Sequence, residues 1–325
     1  MKQHCVRSFS LLLLGLSLVA ASSTPDTAPP MFMTKWGTNG TGNGQFNYPW
    51  GVVVDASGNV YVSEYNGHRV QKFDITGTFL SKWGTLGSGD GDFSNPAGIA
   101  VDASGNVYVA DSSNHRIQKF DGNGAFLAKW GTSGSGDLEF NSPYGVAIDA
   151  AGNIYVADVS NNRIQKLDST GAFLTKWGAN GSADGQFKLP YDVAVDASGS
   201  VYVADFANDR IQKFDSVGTL LTKWGTLGTG NGQFDSPSGV AIDALGNVYV
   251  SDSKNDRIQK FDNTGTFLTT WGTEGPDDSQ FYTPEGIAAD SSNDIYVAEF
   301  HGHRIQKFGR RLDFLIAEPD PLSRR

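Results

Sequence analysis

Cysteine is nearly absent: the 325 residues hold one, Cys5, close to the start. A chain with one thiol cannot rely on disulfides or on a cysteine-ligated metal. Histidine is scarce as well, with five residues, and charged side chains make up only 18%. The low charge argues against a disordered chain, and the 12% aromatic content can supply a core large enough to fold without staples. No apolar run approaches the roughly 20 residues needed to cross a bilayer. The longest, from Phe9 to Ala21, follows Lys2 and Arg7 and ends with Val19 and Ala21 at cleavage-site positions. Residues 1–21 therefore read as a signal peptide cleaved after Ala21, with residues 22–30 as a linker.

Cleavage would remove Cys5 and leave 23 basic against 35 acidic side chains, a formal charge of −12. That balance excludes partners that demand clustered Lys and Arg, nucleic acid and anionic membranes among them. The mature protein is expected outside the cytoplasm, either secreted or in a periplasm or cell envelope. It is expected to be a monomer with no membrane insertion.

What is abundant is glycine, 40 residues, and it recurs on a strict period. Tryptophans stand at 36, 83, 130, 177, 224 and 271, each 47 residues after the last; prolines from Pro49 to Pro284 and arginines from Arg69 to Arg304 keep the same spacing. One unit, from Phe79 to Leu127, carries four strand-like runs. GIAVD is almost continuously apolar, as expected of a strand buried on both faces, and the following SGN is a tight hairpin turn. NVYVAD is rich in β-branched and aromatic residues, RIQKF alternates, and FLAKW closes the unit. Four antiparallel strands per repeat with no helical period predict an all-β, six-bladed β-propeller, since radial closure protects the strand edges. The last copy has only three strands by Phe308. The N-terminal run FMTKW, residues 32–36, is expected to supply the fourth and close the ring. Phe314 and Leu315 keep the register of Phe267 and Leu268 and are the alternative; residues 309–325 otherwise read as a tail.

The string P-x-G-[IV]-A-[VI]-D-x-x-G-N-[VI]-Y-V-A-D-x-x-N-x-R-[IV]-Q-K-F, from Pro96 to Phe120, resembles the NHL repeat, and the resemblance spans residues 31–308. It implies the propeller fold. Intracellular relatives join the propeller to zinc modules and act in ubiquitination or RNA binding; nothing in this acidic, cysteine-poor chain supports either role. Extracellular relatives include bacterial sensor domains and a peptide-amidating lyase that holds zinc on channel histidines.

A residue identical in all six repeats must suit six environments, so it is architectural. By that test the acids Glu64, Asp111, Asp158, Asp205, Asp252 and Glu299 pair with the repeat arginines to hold the loop between second and third strands. The tryptophans are core: burying ~150–250 Å2 each is worth up to roughly 4–6 kcal/mol. The Asp-Ala-Ser-Gly-Asn turns are hairpin caps. His68, His115 and His303 share one loop position, and with His301 they offer too few converging donors for an expected metal site. No catalytic residue, metal or cofactor is singled out.

Positions that vary are where a unique site can lie. After each proline come Trp50, Ala97, Tyr144, Tyr191, Ser238 and Glu285; after each strand-end acid come Tyr65, Ser112, Val159, Phe206, Ser253 and Phe300. Strand direction puts both sets on one face. Trp50, Tyr65, Tyr144, Tyr191, Phe206, Glu285 and Phe300 are therefore the expected ligand-binding residues, a broken ring of aromatics about the channel mouth. The expected function is a non-catalytic binding scaffold for a protein, peptide or glycan. The alternative is a metal-dependent hydrolase or lyase centred on the channel.

Overall fold

The 47-residue period becomes six four-stranded antiparallel sheets arranged around an axis, in a computed structural model that describes residues 27–309. Blade one runs outward through Pro49–Val54, Val60–Glu64, Arg69–Phe73 and Phe79–Trp83. The other blades repeat it, their innermost strands starting at Pro96, Pro143, Pro190, Pro237 and Pro284. Blade six takes its outermost strand from the other end of the chain: Met31–Trp36 pairs antiparallel with Arg304–Gly309, Phe32 opposite Phe308 and Trp36 opposite Ile305. Closure by the N-terminal strand is thus as expected. The signal-peptide assignment and the tail containing Phe314 and Leu315 lie outside the described residues.

The core is a set of wedges between blades. Tyr61 and Val70 of blade one meet Phe93, Ile99, Val107, Val109 and Phe120 of blade two, all buried. Trp83 bridges the same seam, its ring 6.2 Å from Tyr61 and 5.8 Å from Phe120, so the repeat tryptophans are packing wedges. One expectation is corrected. The strand buried on both faces is the second, Val107–Asp111 in blade two, whereas Pro96–Val101 keeps half-buried positions. The reason is the lumen, since residues of the innermost strand line the central channel on one side instead of a packed blade.

The glycine-rich loops are built parts. In each blade the loop folds over one fully buried phenylalanine, Phe46, Phe93, Phe140, Phe187, Phe234 or Phe281. Gly84 lies flat on the Phe93 ring with φ +95°, a position where any Cβ would run into the ring. The strand-end acids do pair with the arginines, and they hold more than the expected loop. Arg116 Nε donates to Asp111 Oδ2 at 2.7 Å, while its other nitrogens donate to the carbonyls of Ser88, Gly89 and Asp92 in the glycine-rich loop. Asp111 Oδ1 also accepts the Ser94 N–H at 2.7 Å. Each acid–arginine pair therefore fixes the long loop that leads into the channel-lining strand, and with it the residues at the mouth.

Candidate functional site

The six innermost strands enclose a cavity of about 330 Å3 on the axis. Two residues after each proline they approach one another backbone to backbone. A Cβ at Gly51 would stand 2.8 Å from the Ala97 carbonyl, and one at Gly145 would stand 2.6 Å from Asp192 Cα. Gly98, Gly239 and Gly286 complete the collar, and blade four alone breaks it with Asp192. The Asp192 carboxylate crosses the seam to blade five and accepts the Val240 N–H at 3.0 Å, with its own neighbour Val193 donating at 2.9 Å. This residue was missed in the sequence, although P-Y-D-V-A at 190–194 against P-x-G in the other five copies is a plain signal.

Above the collar, the residues that follow each proline and each strand-end acid do share one face, and same-blade pairs touch. Tyr191 stacks on Phe206 with centroids 3.8 Å apart, and Trp50 lies 5.2 Å from Tyr65. The rings also meet across the axis. Trp50 of blade one is 5.0 Å from Tyr144 of blade three, 6.1 Å from Tyr191 of the opposite blade four, and 5.3 Å from Phe300 of blade six. The six expected aromatics thus form one connected, half-buried cluster that closes over the mouth instead of an exposed ring around it. The structure brings Glu285, the seventh expected residue, to the same tier, near enough to disfavour ionisation of both Tyr144 and Tyr191.

Glu285 is 8% exposed, and its Oε2 is buried with no hydrogen-bond partner. Burial pushes its pKa up to about 8, against a smaller opposite pull from the Ser238 hydroxyl. Burial likewise pushes Asp192 up to about 7, although Val240 and Val193 donate to its charged form. Tyr191 is pushed up to about 12 by burial and then by Glu285 and Tyr65. Two carboxyl groups from blades four and six thus line the same lumen beside aromatic faces, both raised by burial well above the ordinary carboxylate range.

The histidines serve the scaffold. Nδ1 of His68, His115 and His303 accepts the N–H of Asn95, Ser142 and Tyr48 in the next blade, at 3.1, 3.1 and 3.3 Å. Asn162, Asp209 and Asp256 accept the equivalent N–H of Leu189, Ser236 and Thr283, so the position requires only an acceptor. His301 Nδ1 bonds the Thr283 hydroxyl at 2.8 Å. Among the described residues no three His, Cys, Asp or Glu side chains are grouped to hold a metal ion. The mouth serines are committed too: Ser253 donates to the Pro284 carbonyl at 2.5 Å and shares a hydrogen bond with Ser238.

Comparison with known proteins bears on the fold. No curated protein matches the sequence. Among solved structures, one of a Bacteroides thetaiotaomicron protein of unknown function superposes with a TM-score of 0.65 at 19% identity, over 85% of this chain and 76% of its own. A streptogramin B lyase gives 0.60 at 15% identity, over 82% and 94%. A virginiamycin B lyase from Staphylococcus aureus gives 0.58 at 14% identity, over 82% and 85%. At such identities the likeness is one of fold. The family model described as NHL repeat matches residues 46–73, 93–120, 140–167, 187–214, 234–261 and 281–308, the segments that build every blade, and the chain belongs to the NHL-repeat family.

Proposed function

We propose that this propeller is a binding module whose ligand, a protein, peptide or glycan, docks on the aromatic mouth of the channel. The observation that carries the reading is the convergence of Trp50, Tyr65, Tyr144, Tyr191, Phe206 and Phe300, from four blades, on one half-buried cluster. Aromatic side chains at other variable positions would not need to meet across the axis to stabilise six equivalent seams. Rigid rings with polar neighbours are what recognition surfaces use for affinity at low entropic cost. The basic start and apolar run of residues 2–21 support an extracytoplasmic location, where such a module meets its partner as a monomer.

The rival reading, a hydrolase or lyase centred on the channel, draws on Asp192 and Glu285. Burial raises both carboxyls toward neutral pH, and two of the solved structures similar in fold are of lyases. Glycan and peptide arrays probed with the wild type and with Trp50→Ala and Tyr191→Ala test the first reading. Hits that vanish in both variants while the thermal midpoint stays within a few degrees support it. Hits that persist unchanged in both would move the site elsewhere.

A further inference from the structure

We infer that the mouth recognises a protonated amine on a slender alkyl chain, as in a lysine side chain of a peptide, held by Glu285 among the rings of Trp50, Tyr144 and Tyr191. The inference rests on the reading of the mouth as the ligand site and narrows it to one chemistry. Its first support is the missing donor. Glu285 is more than nine-tenths buried, it lines the cavity, and its Oε2 has no hydrogen-bond partner. A buried carboxyl oxygen without a donor disfavours the charged form, and an ammonium group brought to it supplies both the missing donor and the opposite charge.

The second support is the wall chemistry. The cavity lining contains no Lys, Arg or His. The repeat arginines are bound to strand-end acids, and lysines such as Lys72, Lys119, Lys213 and Lys307 lie over second-strand tyrosines away from the lumen. The titratable groups that share the cavity or the aromatic tier with Glu285 are acids, Asp192, Tyr65, Tyr144 and Tyr191, while His301, beside Phe300, bonds the Thr283 hydroxyl. Indole and phenol faces attract a cation through their quadrupole, most strongly where water is excluded. A formal net charge of −10 draws cations toward the protein as a whole.

The third support is steric. Glu285 stands in the tier of Trp50, Tyr144 and Tyr191, whose centroids are 5.0, 5.1 and 6.1 Å apart. These are contact separations, so a ligand reaching Oε2 has to part the rings or come up the lumen, and a slender unbranched chain ending in an ammonium displaces less than a pyranose ring does. The carboxyl of Asp192, one residue further along its strand, offers a second acceptor at greater depth.

The test is calorimetric titration of the folded protein with N-acetyl-lysine methylamide and with N-acetyl-norleucine methylamide, which lacks only the amine. The lysine probe is expected to bind about tenfold tighter or more, a difference of about 1.4 kcal/mol. Glu285→Gln, whose thermal midpoint is measured alongside, is expected to lose that advantage and leave the norleucine probe unchanged; Trp50→Ala weakens both probes. Equal affinity for the two probes in the wild type overturns the amine assignment and leaves the aromatic mouth as a binding site. Failure of both probes at millimolar concentration also overturns it, and the array experiment with Trp50→Ala then decides the broader reading by itself.

Discussion

Glu285 and Asp192 are held where water reaches them poorly, and the cost of that placement is measurable. Glu285 ordinarily titrates near 4.5 and is pushed up to about 8 in the folded chain. Between those values the folded state holds the proton more tightly than the unfolded chain does, so stability falls as pH rises through this window and levels off above it. Glutamine never ionises, so Glu285→Gln is expected to match the wild type near pH 5 and to exceed it by a few kcal/mol at pH 8.5, because each pH step of one across that window is worth about 1.4 kcal/mol. His68 and His303, lowered by burial, contribute the opposite slope in both proteins, so the difference between the two curves is the informative quantity. Urea unfolding at the two pH values measures it, and parallel curves would show that Glu285 is not desolvated. Glu285 was legible in the sequence because it stands at the position after the prolines, which varies from copy to copy. Asp192 broke the next position in the same string, where glycine is required because the neighbouring backbone leaves no room for a Cβ. That requirement is set by the radius of the closed ring, which no single repeat reveals.

The loop between second and third strands comes in two versions, and each is a matched set. In four blades the strand-end acid is aspartate and the residue three later is asparagine; Asn114 Nδ2, for instance, donates to Asp111 Oδ2 at 2.9 Å and to the Gly87 carbonyl at 2.8 Å. In blades one and six the acid is Glu64 or Glu299 and the later residue is Gly67 or Gly302. The longer side chain fills the asparagine's space: a Cβ at Gly67 would stand 2.5 Å from Glu64 Oε2. Gly67→Asn alone is therefore expected to destabilise by about 1–3 kcal/mol through overpacking. Glu64→Asp alone is also expected to destabilise, because it draws the carboxylate away from Arg69, whose Nε it meets at 2.5 Å. Together the two changes rebuild the aspartate version, so a double-mutant cycle is expected to show a favourable coupling of ~0.5–3 kcal/mol. Strict additivity would refute the pairing. The strands, turns, tryptophan wedges and acid–arginine pairs were legible because each recurs six times at one spacing. The meeting of Trp50 with Tyr191 was not, since contact between opposite blades depends on the diameter of the ring and the length of the side chains that cross it.

Ring closure joins the first described strand to the last, and this makes the stability of six similar blades a property of the whole chain. In an open stack of repeats each unit contacts only its neighbours and the ends fray. Here Met31–Trp36 covers the edge of Arg304–Gly309, and Trp36 packs at once on Tyr296 of blade six, at 6.5 Å, and Phe73 of blade one, at 5.9 Å. A chain beginning at Gly37 would lose that seam and expose an unpaired strand edge. It is expected to unfold at a lower thermal midpoint and in more than one step, with tryptophan fluorescence and far-ultraviolet circular dichroism no longer coincident. A peptide spanning residues 27–37, added in trans, can pair with the same edge, so the midpoint should rise with peptide concentration and saturate. A shortened chain that keeps the full midpoint and a single transition would show that Met31–Trp36 does not carry the closure. If that stability then disappeared on further removal of residues 310–325, the register of Phe314 and Leu315 with Phe267 and Leu268 would identify the segment that closes blade six in its place.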